Sequence, residues 1–331
     1  MAVLFMDGFS HYATADLELK WTTNASGIIT AGAGRFGTGA LQFSGGVAST
    51  VKSALSSQAT YIIGFAFKVS ALGAVLGNLV ETNATGTPNV TINSSGTLNV
   101  RRGATVLLTS TNAISAGVWY HLEWLITVNA TTGVTQLKIN GVDWIANTGS
   151  LDTGSSNSTG IAVRQQVTTT TTSFSDLFVL DDTGGAPWNT FLGDCKVETL
   201  RPTTEGNTIQ WTPSTGTDNA ALVDDTTPNG DTDYNSDSTA GNKDTYVFGN
   251  LDTTGGSVFA VQTVIVARKD DAGVRQIAPV IRQSTTDYDG TTVTLSSTYD
   301  QYRQIYPQDP TATNWTIANV NADEFGVKTI A

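Results

Sequence analysis

Trp119-Tyr120-His121-Leu122-Glu123-Trp124-Leu125-Ile126-Thr127-Val128 is a run of alternating apolar and polar character. It is followed by the turn Asn129-Ala130-Thr131-Thr132-Gly133 and the return Val134-Thr135-Gln136-Leu137-Lys138-Ile139. Asn140-Gly141 then supplies the left-handed dihedrals of a two-residue hairpin turn, and Val142-Asp143-Trp144-Ile145 runs back. Strands this close in sequence pair antiparallel, because a parallel return needs a crossover of a dozen or more residues. The stretch is a meander with one oily face.

The same pattern extends outward in both directions. Tyr61 to Val69 is apolar on both faces, as in a central strand. Asn89-Val90-Thr91-Ile92-Asn93 and Thr97-Leu98-Asn99-Val100 flank a turn at Ser94-Ser95-Gly96. Ser173 to Asp181 alternates, and Asp194 to Leu200 reads as one more strand. Almost no window carries a helical stripe. Strands without helices must bury their apolar stripes against each other, so the expected fold is all-β, an antiparallel β-sandwich.

Past Pro202 the chain turns often and is acidic, with Asp224, Asp225, Asp231, Asp233 and Asp237. Strands resume with Ser257–Arg268 and Arg275–Arg282. Pro279 has no amide hydrogen, which predicts an edge or a bulge there. The expected organisation is a sandwich over 1–200, a turn-rich connector over 201–245 and a second β-sandwich-like region over 246–331.

Composition narrows the function. Of 331 residues only 14% are charged, and the net charge is −12. That field repels phosphate backbones, so nucleic acid is not an expected partner. No run approaches the roughly 20 apolar residues of a spanning helix, so no membrane insertion is expected. The first residues carry no basic leader, which predicts synthesis in a cytoplasm. The single cysteine, Cys195, excludes an internal disulfide and a multi-thiolate metal site.

Catalytic signatures are missing. There is no Gly-x-Ser-x-Gly elbow, no His-Glu-x-x-His helix and no Glu-x-Asp-x-x-Glu strand. Glu81, Glu123 and Glu198 read as turn, edge or solvent-face carboxylates, and His121 as a packed or rim side chain. The chain is therefore not expected to be an enzyme. Trp188, followed by Asn189 and set among chain breakers, reads as an exposed platform for a sugar ring, with Asp182 nearby. Asp181 and Asp182, or Asp231 and Asp233, offer oxygens for calcium, although neither pair has a distinctive ligand spacing. No cofactor is expected otherwise.

Gly34-Arg35-Phe36-Gly37, the Phe65-Ala66-Phe67 strand, Trp119-Tyr120-His121, Lys138-Ile139-Asn140-Gly141 and Phe174-Ser175-Asp176-Leu177 occur in an order that resembles the concanavalin A-like, or laminin G-like, jelly-roll domains. The segments Gly193–Pro202 and Pro228–Tyr234, and the ending Phe325-Gly326-Val327-Lys328, resemble structural proteins of tailed-bacteriophage virions. That resemblance implies a virion component present in many copies, a capsid decoration, head fibre or tail-associated protein, with capsid or tail proteins as partners. The alternatives are an adhesin for host-surface glycans and a glycan-degrading enzyme.

Overall fold

The computed structural model describes residues 3–44, 49–73, 77–84, 86–165 and 170–331. The chain is essentially all-β and divides into two units, Met1–Val197 and Glu198–Ala331.

Among the described residues the first unit carries fifteen strands. In chain order they are β1 (Val3–Asp7), β2 (Thr23–Ala25), β3 (Ile28–Thr30), β4 (Ala40–Ser44) and β5 (Ser49–Gln58). Next come β6 (Thr60–Val69), β7 (Gly77–Thr82), β8 (Pro88–Ile92), β9 (Thr97–Arg102) and β10 (Thr105–Ala113). The last five are β11 (Tyr120–Thr127), β12 (Gly133–Ile139), β13 (Val142–Leu151), β14 (Ser158–Gln165) and β15 (Thr171–Leu180). One sheet has eight strands in the order β13-β12-β11-β6-β15-β4-β3, with β1 also paired to β15. The other has seven, in the order β10-β9-β8-β7-β14-β5-β2. All pairs are antiparallel, as short hairpin connections require.

Alternation along each strand decides which side chains meet. In β11, Leu122, Trp124 and Ile126 enter the core with Phe65, Phe67 and Phe174, while His121 and Glu123 point the other way. Each large apolar side chain so buried contributes about 1.5–3 kcal/mol. Trp124 brings a polar atom inside, and its Nε1 donates to Thr135 Oγ1 at 2.9 Å. Asn140 and Gly141 have φ of 50° and 77°, the turn expected from the dipeptide, and Ile139 pairs with Val142 across it.

Two expectations change in detail. Residues 194–200 form no strand. They alternate, but the amide of Val197 goes to a carboxylate rather than to a neighbouring strand. In the second unit, Ser257–Arg268 shortens to β20 (Val261–Ala267), after β16 (Pro202–Ile209), β17 (Thr212–Pro213), β18 (Asn235–Ser236) and β19 (Lys243–Phe248).

The remaining strands are β21 (Gln276–Gln283), β22 (Thr286–Asp289), β23 (Val293–Thr294), β24 (Asp300–Tyr306) and β25 (Glu324–Thr329). They build a six-stranded sheet, β16-β19-β25-β21-β22 with β23 beside β21, and two ribbons, β17-β18 and β20-β24. Residues 201–245 thus supply β16 and the start of β19 to the main sheet of this unit. Asp244, at the start of β19, accepts from the amides of Gln210 and Trp211, from Asn219 Nδ2 and from Tyr246 Oη, which pins the intervening loops. Pro279 lies at an irregularity of the ladder, where residues 290–292 oppose Ala278 and Pro279 between the Val280–Asp289 and Ile277–Val293 pairs. It pairs with Val327 on one side, and on the other it falls in the gap between β22 and β23, where its carbonyl accepts from Gly290. Its missing N–H therefore costs no ladder bond. The core of this unit gathers Ile281, Trp315, Val320 and Phe325.

Candidate functional site

The face of the seven-stranded sheet that points away from the core is built of polar rows. Val90, Ile92, Leu98 and Val100 enter the core, so their neighbours Asn89, Thr91, Asn99 and Arg101 face outward. Register aligns them. Glu81 lies beside Asn89, which lies beside Arg101. In the next row Asn78, Thr91, Asn99 and Thr109 follow one another across β7 to β10. Arg164 on β14 pairs with Glu81 at 2.5 Å.

Exposure rises outward from the middle of this face. Thr91 is 0% exposed, Asn89 3% and Asn99 5%, whereas Thr109 and Val106 at the margin are exposed. Short polar side chains make up the buried middle of this face, and exposed residues its margin. Part of that middle is satisfied internally. Thr109 Oγ1 donates to Asn99 Oδ1 at 2.8 Å, and Asn89 Nδ2 donates to the carbonyls of Thr87 and Gly103. Among the described residues, three buried atoms of this face have no partner: Asn89 Oδ1, Thr91 Oγ1 and Arg101 Nε. The two carbonyls fix the orientation of the Asn89 amide, so its oxygen is a true open acceptor. An acceptor, a donor and a hydroxyl that can be either thus stand unfilled on adjoining strands.

The outer face of the eight-stranded sheet is closed differently. The segment 190–197 lies over it as a strap. Glu123 Oε1 accepts from the amides of Leu192 at 2.7 Å and Gly193 at 3.0 Å. Asp176 Oδ1 accepts from Val197 at 2.9 Å, and its other oxygen meets Arg35 Nε at 3.4 Å. Arg35 also donates to the Cys195 carbonyl and pairs with Asp194. Asp176 reaches the strap because β15 bulges there, with φ of 53° at that residue.

Burial sets the charge states under the strap. It pushes Glu123 up to about 7 against its two amide donors and Lys138, and it also raises Asp176. It pushes His121 down to about 4, so the ring is neutral near pH 7. The Cys195 thiol, buried and then opposed by Glu123 and Asp194, is pushed up to about 12 and is no nucleophile. Both His121 ring nitrogens and Glu123 Oε2 are buried without partners.

The residues singled out in the sequence do not converge. Trp188 is buried, 9% exposed, and its amide donates to Gly185 in a tight turn, which corrects the expectation of an open platform. Asn189 and Asp182 are exposed beside it. Asp181 is buried and accepts from the amide and hydroxyl of Thr183. In the second unit Asp231 is held by Arg268 and Tyr299, while Asp233 accepts from Asn229. Among the described residues, no group of three or more His, Cys, Asp or Glu side chains is arranged to hold a metal ion. Glu123 is neither at an edge nor solvent-facing, and Glu81, near the turn that follows β7, is buried rather than solvent-facing. Among the described residues, no helix is long and apolar enough to cross a membrane.

No family model and no curated protein matches the chain. Solved structures do. The alginate lyase Aly36B is 12% identical, with a TM-score of 0.40 over 54% of this chain and 96% of its own. Domain 4 of an extracellular arabinanase from Geobacillus stearothermophilus, in complex with arabinotriose, is 14% identical, with a TM-score of 0.37 over 54% of this chain and 93% of its own. A carbohydrate-binding module from Bacillus subtilis is 12% identical, with a TM-score of 0.33 over 48% of this chain and 94% of its own. These proteins act on or bind glycans, and no phage protein stands among the matches described. The expected virion role and the expectation that the chain is no enzyme are both corrected by this set. What the chain shares with these structures is an all-β, sandwich-like fold resembling carbohydrate-binding and glycan-processing domains.

Proposed function

We propose that the chain binds glycans on the polar outer face of the seven-stranded sheet. The observation that carries this reading is the trio of unfilled atoms, Asn89 Oδ1, Thr91 Oγ1 and Arg101 Nε. A hydroxyl group both donates and accepts, so one sugar hydroxyl fits between an open acceptor and an open donor on neighbouring strands. A buried polar atom left unfilled costs about 1–3 kcal/mol, and a ligand that fills it recovers that cost. The rigid sheet holds these atoms in place before binding. The Arg101 guanidinium donates to the Ala104 carbonyl.

The test is a glycan array read with the full chain and two variants. Asn89→Ala alters that face, and Asn189→Ala alters the exposed loop beside Trp188. Binding that survives Asn189→Ala and is lost with Asn89→Ala supports this site, provided urea unfolding shows both variants folded. Absence of any retained glycan, or loss with Asn189→Ala alone, defeats it.

A further inference from the structure

The first unit holds four arginines, Arg35, Arg101, Arg102 and Arg164. Three of them meet carboxylates: Arg35 pairs with Asp176 and Asp194, Arg102 with Asp152, and Arg164 with Glu81. Among the described residues Arg101 has no carboxylate partner. Its Nη2 donates to the Ala104 carbonyl, and its Nε is buried with no acceptor.

This is unexpected in a chain with 29 acidic and 17 basic residues. Acids outnumber bases, and an arginine that reaches none of them has been left uncompensated. Partial burial makes that costly, because a guanidinium out of water needs an acceptor for each donor it turns inward. The same side chain stands next to Asn89 in the row whose open acceptor and donor are described above. Glu81, at the other end of that row, is already neutralised by Arg164. The face therefore presents one unmatched positive charge beside its hydroxyl-reading atoms.

We infer that this face selects acidic glycans, with Arg101 receiving a sugar carboxylate or sulfate while Asn89 and Thr91 read adjacent hydroxyls. This inference rests on the proposed glycan-binding reading and adds the charge of the ligand. A charge-assisted hydrogen bond from guanidinium to an anion is roughly twice as strong as a neutral one. Arginine also matches the planar carboxylate better than lysine does.

Isothermal titration calorimetry of the full chain settles it with three oligosaccharides of equal length: a hexuronate, a sulfated galactan and a neutral glucan. The expected result is that at least one acidic oligomer binds roughly tenfold or more tightly than the neutral one, a gap that narrows in high salt. Arg101→Gln then lowers affinity for the acidic oligomer by at least the factor that separated it from the neutral one, and lowers neutral affinity less, so the preference disappears; Arg101→Lys restores it only in part. The ratio of hexuronate to sulfated affinity tells carboxylate from sulfate. Equal binding of acidic and neutral oligomers, or a preference that survives Arg101→Gln, overturns the acidic assignment and leaves glycan binding standing. Failure of all three oligomers and of the glycan array removes both.

Discussion

The two sheets of the first unit each turn a polar face away from the core, and the two faces are finished in opposite ways. On the eight-stranded sheet, Glu123 and Asp176 are occupied by amides of residues 192–197. On the seven-stranded sheet, Asn89, Thr91 and Arg101 keep atoms without partners, as His121 and Glu123 Oε2 do under the strap, but among the described residues no carboxylate of that row is tied to amides of a returning segment. The same strand alternation produced both. The difference lies in whether the chain returns to cover its own polar row. A covered row is a fastening, and its loss is felt in stability. In the proposed reading the unfilled row is the binding surface, and its loss is felt in affinity.

Glu123→Ala is the most direct way to break this contrast. It strands the amides of Leu192 and Gly193 beneath the strap. Unpaired buried amides cost about 1–3 kcal/mol each, so a loss of about 2–4 kcal/mol is expected in urea unfolding of the first unit. Amide exchange at residues 192–197 should rise with it. Unchanged exchange there would show that the strap is held by packing instead.

The charge states under the strap sharpen the comparison. Glu123 titrates near 7 in the folded chain against 4.5 as a free side chain, so its contribution to stability falls as pH rises through that interval. Asp176, also raised by burial, adds to the same side. His121 titrates near 4 against 6.5, so its contribution is lost as pH falls from 6.5 towards 4. Between 4.5 and 6.5 the slopes of Glu123 and His121 oppose each other. Removing either side chain should expose the slope of the other, at most roughly 1.4 kcal/mol per pH unit. His121→Gln is expected to lose stability from pH 4.5 to 7, and Glu123→Gln to gain it from pH 4 to 6.5. Urea midpoints across that range check both signs, and variants that run parallel to the wild type would refute the pairing.

Gly64→Ala probes the same face through packing. Gly64 lies on β6 between Glu123 and Phe178, and a Cβ there would sit 2.1 Å from the Phe178 ring. Overpacking of this kind costs about 1–3 kcal/mol, with no charge change and no effect expected on the polar face of the seven-stranded sheet. A melting curve and a sugar titration on the same sample separate the two. Impaired binding by this variant would mean that the two outer faces are not independent.

The sequence made some of this legible and hid the rest for physical reasons. The meander around Trp119–Ile145 declared itself, because period-two alternation and Asn140-Gly141 are local properties. So did the strands Asn89–Asn93 and Thr97–Val100. Their outward residues escaped notice as a site, although the two runs put Asn89 with Arg101 and Thr91 with Asn99 once the hairpin is closed. Alternation tells which residues share a face and not whether that face is later covered. For the same reason Glu123 looked like a solvent-side carboxylate and Asp194–Leu200 looked like a strand. The partners that decide both are about seventy and twenty residues apart in the chain, respectively. Trp188 looked exposed because its neighbours break strands, but a turn can fold its own aromatic residue inward.

The smallest expected change in stability is the most discriminating. Thr91→Val replaces an unpartnered, fully buried hydroxyl with a methyl group of nearly the same shape. If that hydroxyl were structural, valine would destabilise the sheet. If it waits for a ligand, valine removes a desolvated group with nothing to lose in the free chain, and stability should stay level or rise by up to about 1 kcal/mol. Sugar affinity should fall several-fold in the same variant. A buried threonine whose removal helps the fold and harms binding is there for the ligand. A destabilised Thr91→Val chain with unaltered sugar affinity would place the hydroxyl among the internal fastenings, and the open face would then be no different in kind from the one beneath the strap.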